Sequence, residues 1–182
     1  WANFGDAGKG YLIKQYHYQT LAAGEEIAVT QTGLKVTPYV LSHVHPFEST
    51  AFLVNNQGSY LLYLGDTGPD EVEQSNRLKQ LWERVAPLIR VGTLRGIFIE
   101  VSYPNNQPHK KLFGHLTPAW LMKEMNVLAG LTGSKALKGL NVVIAHGKPP
   151  MHKIAELQRE LKANNPLGLN LIFPEQGKQI KL

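Results

Sequence analysis

Apolar positions between Glu26 and Leu64 fall in short runs separated by turn residues; beyond Pro69 helical stripes alternate with short continuous runs. Glu26-Ile27-Ala28-Val29 and Leu34-Lys35-Val36-Thr37-Pro38-Tyr39-Val40 flank Gln31-Thr32-Gly33, a hairpin pattern. Ala51-Phe52-Leu53-Val54 and Tyr60-Leu61-Leu62-Tyr63-Leu64 read as two more strands, joined by the turn-rich Asn55-Asn56-Gln57-Gly58. From Pro69 to about Ile89 the period becomes helical, with Val72, Leu78, Leu81, Trp82, Val85 and Leu88 on one stripe. Asp70, Glu71 and Glu73 occupy its first turn, where they complement the helix dipole. Pro87 is expected to end or kink this helix. Gly96-Ile97-Phe98-Ile99-Glu100-Val101 is the next buried strand, followed by a polar loop over 102–116. Thr117-Pro118 then opens a helix, as N-cap and first helical residue. That helix carries Leu121, Met125 and Leu128 and is expected to stop near Gly130. Asn141 to Gly147 is a strand, 151–163 a helix with Ile154, Leu157 and Leu161 inward, and Leu169 to Phe173 a last strand. Residues 1–24 read as irregular; within them Trp1 to Gly10, rich in glycine, reads as a loop rather than a phosphate-binding loop, because no strand precedes it within the chain.

The order is a run of strands, then strictly alternating strands and helices. No repeat, low-complexity segment or linker divides residues 1–182, so one layered α/β domain is expected. Composition changes this picture little: 43% hydrophobic and 18% charged is ordinary for a globular chain with a real core. No apolar run approaches the ~20 residues a membrane span needs. With no cysteine, disulfides, thiolate metal sites and cysteine nucleophiles are excluded, while cytoplasm and periplasm both remain compatible. The formal charge of +5 is scattered, with Lys110-Lys111 the one local pair noted. A mild positive excess suits a small anionic substrate and is too dispersed for a long nucleic acid.

The chemistry lies at strand ends. Three apolar strands end in Asp66, Glu100 and His146, and a fourth runs into Leu41-Ser42-His43-Val44-His45. Open α/β sheets place their chemistry at the carboxyl ends of strands. Imidazoles and carboxylates converging there would assemble a metal site without any local spacing motif. Each residue also has a structural reading. Asp66 and His146 would cap turns, Glu100 would pair with a lysine, His115 would hydrogen-bond at a helix entry, and His43/His45 would be a surface pair. His17, His109 and His152 carry no spacing argument and read as structural or solvated. Ser49 and Ser59 lack a nucleophile elbow.

Ser42-His43 with Ser49-Thr50-Ala51-Phe52-Leu53, Tyr63-Leu64-Gly65-Asp66-Thr67-Gly68-Pro69-Asp70, Gly114-His115-Leu116-Thr117-Pro118 and Ala145-His146-Gly147-Lys148-Pro149 resemble the class II cyclic-nucleotide phosphodiesterases. These are metallo-β-lactamase-fold hydrolases, relatives of the tRNA 3′-processing endonucleases. The resemblance covers most of residues 1–150. It implies a four-layer αββα sandwich, with 1–182 the carboxyl-terminal portion and the amino-terminal part lacking. It implies two divalent metal ions, zinc the expected identity, bridged by a hydroxide. His43 matches a histidine on one metal, with His45 as the alternative to His43. Asp66 matches the bridging aspartate, and His146 the last histidine, on the second metal. His115 with Glu100 resembles the acid–base histidine and orienting glutamate of the endonuclease relatives. The family's His-x-His-x-Asp-His segment is absent from the chain and is expected upstream of Trp1; it would supply four of seven ligands.

The activity implied is hydrolysis of 3′,5′-cyclic nucleotides, cyclic AMP and also cyclic GMP, to nucleoside 5′-monophosphates, with Asp66 as well as His115 and Glu100 in the catalytic set. Phe47 and Tyr103 are candidate base-stacking aromatics, and a homodimer is a possible assembly. Two alternatives stay open: another hydrolase of the same fold, such as an RNA-processing endonuclease, or a non-catalytic binding domain on the scaffold.

Overall fold

The computed structural model describes residues 19–148 and 150–182. The glycine-rich loop read over residues 1–10, the irregular reading up to residue 18 and His17 lie outside the described residues. Residues 19–26 are irregular, as expected. Seven strands form one sheet in chain order: β1 (Ile27–Ala28), β2 (Lys35–Ser42), β3 (Glu48–Asn56), β4 (Ser59–Leu64), β5 (Leu94–Glu100), β6 (Asn141–Ala145) and β7 (Asn170–Ile172). Each of β1 to β4 pairs antiparallel with the next, and β4 to β7 pair parallel. The antiparallel pairs need only turns. The tightest is Gln57-Gly58, where both residues have positive φ, 51° and 87°, as a two-residue turn matched to strand twist demands. The parallel pairs need crossovers, and these are helices. Helices α1 (Asp70–Glu73) and α2 (Arg77–Arg90) join β4 to β5, α3 (Pro118–Thr132) and α4 (Ser134–Leu137) join β5 to β6, and α5 (Met151–Ala163) joins β6 to β7.

Strand register explains which side chains go where. Leu53, Leu62, Ile97 and Val142 are successive cross-strand partners on one row, all within the core cluster that also holds Leu81, Trp82, Leu121 and Met125 of α2 and α3. One residue along, Pro38, Phe52, Tyr63, Phe98, Val143 and Ile172 form the next row and lie on the opposite face. There the rings of Tyr63 and Phe98 sit 6.0 Å apart. A sheet apolar on both faces suits an inner layer of a sandwich. The described residues supply one mixed sheet and its flanking helices, an α/β layering consistent with the expected fold. Helix α3 lies between α2 and α5 and is apolar nearly all round, so it buries Trp120, Leu121, Met122, Met125 and Leu128.

Three expected boundaries shift. The helix expected over Pro69 to Ile89 is broken at Gln74, whose φ of 51° closes α1. The break serves a cap: the Asp70 carboxylate accepts from Ser75 Oγ (2.7 Å), Leu78 N–H (3.1 Å) and Lys79 N–H (2.9 Å) and so satisfies the first turn of α2. Pro87 does not end α2, which continues to Arg90. Its ring is on the exposed side of the helix, away from the core packing of Val85, Ala86 and Ile89. Helix α3 runs through Gly130 to Thr132; packing of Leu128, Ala129 and Leu131 outweighs the roughly 1 kcal/mol a helical glycine costs.

Candidate active site

Because β2 is antiparallel to β3 and β3 to β4, strands β2, β4, β5 and β6 all run the same way. Their carboxyl ends share one edge of the sheet. His43 follows the last residue of β2, Asp66 lies two beyond β4, Glu100 ends β5 and His146 follows β6. The fifth group, His115, comes from the loop before α3. That loop is closed by Thr117, whose Oγ1 accepts from Trp120 N–H with Pro118 in the first turn.

Topology thus turns five scattered residues into a cluster. Ligand atoms of His43, Asp66 and His115 all lie within 4.8 Å of one another. His146 Nε2 is 3.5 Å from Asp66 Oδ2. Ring centroids of His43 and His115 are 4.9 Å apart, and those of His115 and His146 5.5 Å.

Glu100 organises the cluster from below. It is only 2% exposed and accepts from His115 Nδ1 (2.5 Å), Ser102 Oγ (2.7 Å), Thr67 N–H (3.1 Å) and Leu116 N–H (3.4 Å). One carboxylate therefore fixes the residue after Asp66 and the residue after His115. The network puts the His115 proton on Nδ1, toward Glu100, and turns Nε2 toward the cluster. Lys148 Nζ stands 2.6 Å from that Nε2.

His43 is oriented in a similar way. Its Nδ1 donates to Gly114 O at 2.9 Å, which leaves Nε2 as the ring's acceptor nitrogen, the form a metal ligand needs. The approach requires glycine: Gly114 has φ +74°, and a Cβ there would lie 2.5 Å from Val44 N and 2.6 Å from His43 Nδ1. Beneath β2's end, Glu73 Oε2 accepts from Ser42 Oγ (3.2 Å) and His45 N–H (2.9 Å). Glu73 is buried, and the glycine at position 68 leaves room for it, since a Cβ there would be 2.5 Å from Glu73 Cγ. Val44, Phe113 and His146 adopt φ of 53°, 51° and 56°. For non-glycine residues this is costly, most of all for β-branched valine, and all three belong to loops carrying the cluster.

His43, Asp66, Glu100, His115 and His146 are thus brought together, while the His45 imidazole is exposed and only its backbone joins the network. His109 packs edge-on against Trp120 and His152 is exposed. Tyr103 touches His115 edge-on at 5.9 Å, and Phe47 is exposed. Sequence reasoning gave no role to Lys148, Ser102 or Thr67, and read Glu73 only as a first-turn acid complementing the helix dipole, not as the acceptor beneath β2. Two carried a signal, since Ser102 and Lys148 each stand two residues beyond a strand-end candidate.

Imidazole and carboxylate donors at this spacing fit a divalent ion. By distance alone the set is His43, Asp66 and His115. By availability it differs: both ring nitrogens of His115 are engaged, by Glu100 and Lys148, whereas among the described residues nothing hydrogen-bonds His43 Nε2, and Asp66 and His146 are half exposed.

Comparison with known proteins fits this geometry. The family model of class II cAMP phosphodiesterases matches residues 9–177. A 3′,5′-cyclic-nucleotide phosphodiesterase of Aliivibrio fischeri is 41% identical over all of this chain and 56% of its own length. A probable enzyme of the same name from Yersinia pestis is 38% identical, over all of this chain and 54% of its own. The crystal structure of unliganded yeast PDE1 superposes with a TM-score of 0.79 at 26% identity, over 88% of this chain and 49% of that one. The metallo-β-lactamase fold protein YhfI of Bacillus subtilis shares the fold, with a TM-score of 0.55 at 12% identity over 92% of this chain and 57% of that one. The chain spans about half the length of the curated relatives it matches. The residues that converge at the strand ends, and the family model that covers them, place the chain in one family: it belongs to the class II cAMP phosphodiesterases.

Proposed function

We propose that this chain carries part of the active site of a metal-dependent phosphodiesterase that hydrolyses cyclic AMP, and cyclic GMP by the same chemistry, to nucleoside 5′-monophosphates. The observation that best supports this reading is the buried Glu100–His115 pair opening onto His43, Asp66 and His146 at one sheet edge. We further propose two divalent ions, with zinc the expected identity. His43 and His146 would each hold one, Asp66 would bridge, and the remaining ligands would come from the family's His-x-His-x-Asp-His segment. When bound, such ions supply positive charge to the phosphate oxygens and lower the pKa of a coordinated water.

This chain's residues do the rest. Asp66 has a ligand atom within 4.8 Å of His43 and 3.5 Å from His146 and would set the spacing of what they hold. As a water oxygen joins phosphorus, the bond to the 3′-oxygen breaks and that oxygen needs a proton. His115 would deliver it from Nε2 as the imidazolium, after a second proton has been taken up there, with Glu100 holding the ring's direction through Nδ1 and balancing its charge. The product is a 5′-monophosphate with a free 3′-hydroxyl. The test is an assay of the native-length protein with cyclic AMP, cyclic GMP and a bis-aryl phosphodiester. The reading expects 5′-AMP and 5′-GMP; turnover of the aryl diester without either would assign the site to another hydrolase of this fold.

A further inference from the structure

The His115 Nε2 atom that should face the leaving oxygen instead faces Lys148 Nζ at 2.6 Å. Lys148 is half-buried and held at both ends. Its backbone N–H donates to Ser102 O at 3.2 Å, and its ammonium lies 5.4 Å from the centroid of the Tyr103 ring. Ser102 also ties Glu100 and His146, through Oγ to the Glu100 carboxylate (2.7 Å) and to His146 O (3.1 Å). Lys148 is therefore positioned by the same scaffold as the acid–base pair. Among the described residues, it is the lysine or arginine whose side chain reaches this cluster, and no carboxylate pairs with its ammonium. An ammonium offers three donors, and an imidazole nitrogen uses one. The other two remain for an anion, and a charge-assisted hydrogen bond to a phosphate oxygen is strong.

We propose that Lys148 is a phosphate-binding residue. In the ligand-free protein it donates to His115 Nε2, and with substrate its ammonium moves to a non-bridging phosphate oxygen and frees Nε2 to take up a proton from water and face the leaving oxygen. The proposal deepens the phosphodiesterase reading and rests on it for the identity of the substrate. Its binding half stands separately, because inorganic phosphate and 5′-AMP probe the same contact without turnover.

The experiment measures the affinity of the native-length, metal-loaded protein for inorganic phosphate and 5′-AMP by calorimetry, in wild type, Lys148→Met and Lys148→Arg, with metal content and melting followed in parallel. Cyclic AMP kinetics are read on the same samples. Lys148→Met is expected to weaken both ligands about 10- to 100-fold and to raise KM more than it lowers kcat, at unchanged metal content. Lys148→Arg keeps the charge and is expected to recover most of that loss, and it serves alone if the methionine variant melts early. A kcat loss with phosphate and 5′-AMP bound as tightly as by wild type would reduce Lys148 to a prop for His115 and overturn the proposal. So would a wild-type protein that binds neither ligand. A wild type that binds phosphate through Lys148 yet leaves cyclic AMP intact would instead overturn the functional reading alone.

Discussion

At the scale of single residues, the account turns on a carboxylate that does two jobs. Glu100 orients His115 and also accepts from Ser102, Thr67 and Leu116. His115→Ala should lower kcat by about 10²- to 10⁴-fold, the usual contribution of a positioned acid–base group, and leave metal content unchanged. Glu100→Gln should cost activity and also about 1–3 kcal/mol of stability, because an amide offers one acceptor where four donors converge; kinetics with a denaturation curve on each variant separate the two. Gly114→Ala should destabilise by roughly 1–3 kcal/mol and loosen His43, since its Cβ meets the Val44 and His43 atoms already in contact with that loop. A melt of that variant, with metal content beside it, checks both effects. Asp66, Glu100 and His146 were legible from sequence because an apolar run that stops at a polar group states its own position. Lys148 and Glu73 were not: their partners His115 and Ser42 are 33 and 31 residues away, and only the folded sheet brings them together.

At the scale of elements, the sequence showed each strand and the longer helices in place, but neither the short α4 nor the break between α1 and α2. Periodicity saw one stripe from Val72 to Leu88, because α1 and α2 both present apolar residues to the core. It could not see that the Asp70 side chain caps the second helix. A buried acid was equally hidden on α3. Glu124 is 5% exposed and accepts from Trp82 Nε1 and Asp70 N–H, joining α3 to α2 and to the start of α1. Burial pushes its carboxyl above the ordinary value of 4.5, and the Trp82 hydrogen bond only partly opposes this. A raised acid favours the folded state while protonated. Its stabilising share is therefore full below the unfolded chain's value and is lost as pH rises through the folded value. Glu124→Gln should flatten that fall in a series of denaturation curves taken from acid toward neutral pH; an unchanged slope would place the titration elsewhere.

At the scale of the whole molecule, function follows from strand direction. Four strands pointing the same way deliver His43, Asp66, Glu100 and His146 to one edge, and the helices that return the chain pack on the sheet beside them. The dispersed charge of +5 is compatible with a small anionic substrate meeting that edge. A metal that binds the folded form alone stabilises it by mass action, by about 4 kcal/mol at a thousandfold excess over Kd. Chelation should therefore lower the melting temperature of the native-length protein, and zinc should restore it. The most direct test of the central claim, that strand-end residues of this chain build a metallophosphodiesterase site, is the initial rate of cyclic AMP hydrolysis by native-length His146→Ala, loaded with metal, against wild type. The account predicts loss of turnover with folding little changed, since His146 is half exposed and touches the cluster through Asp66. Near-wild-type turnover in that variant would contradict it.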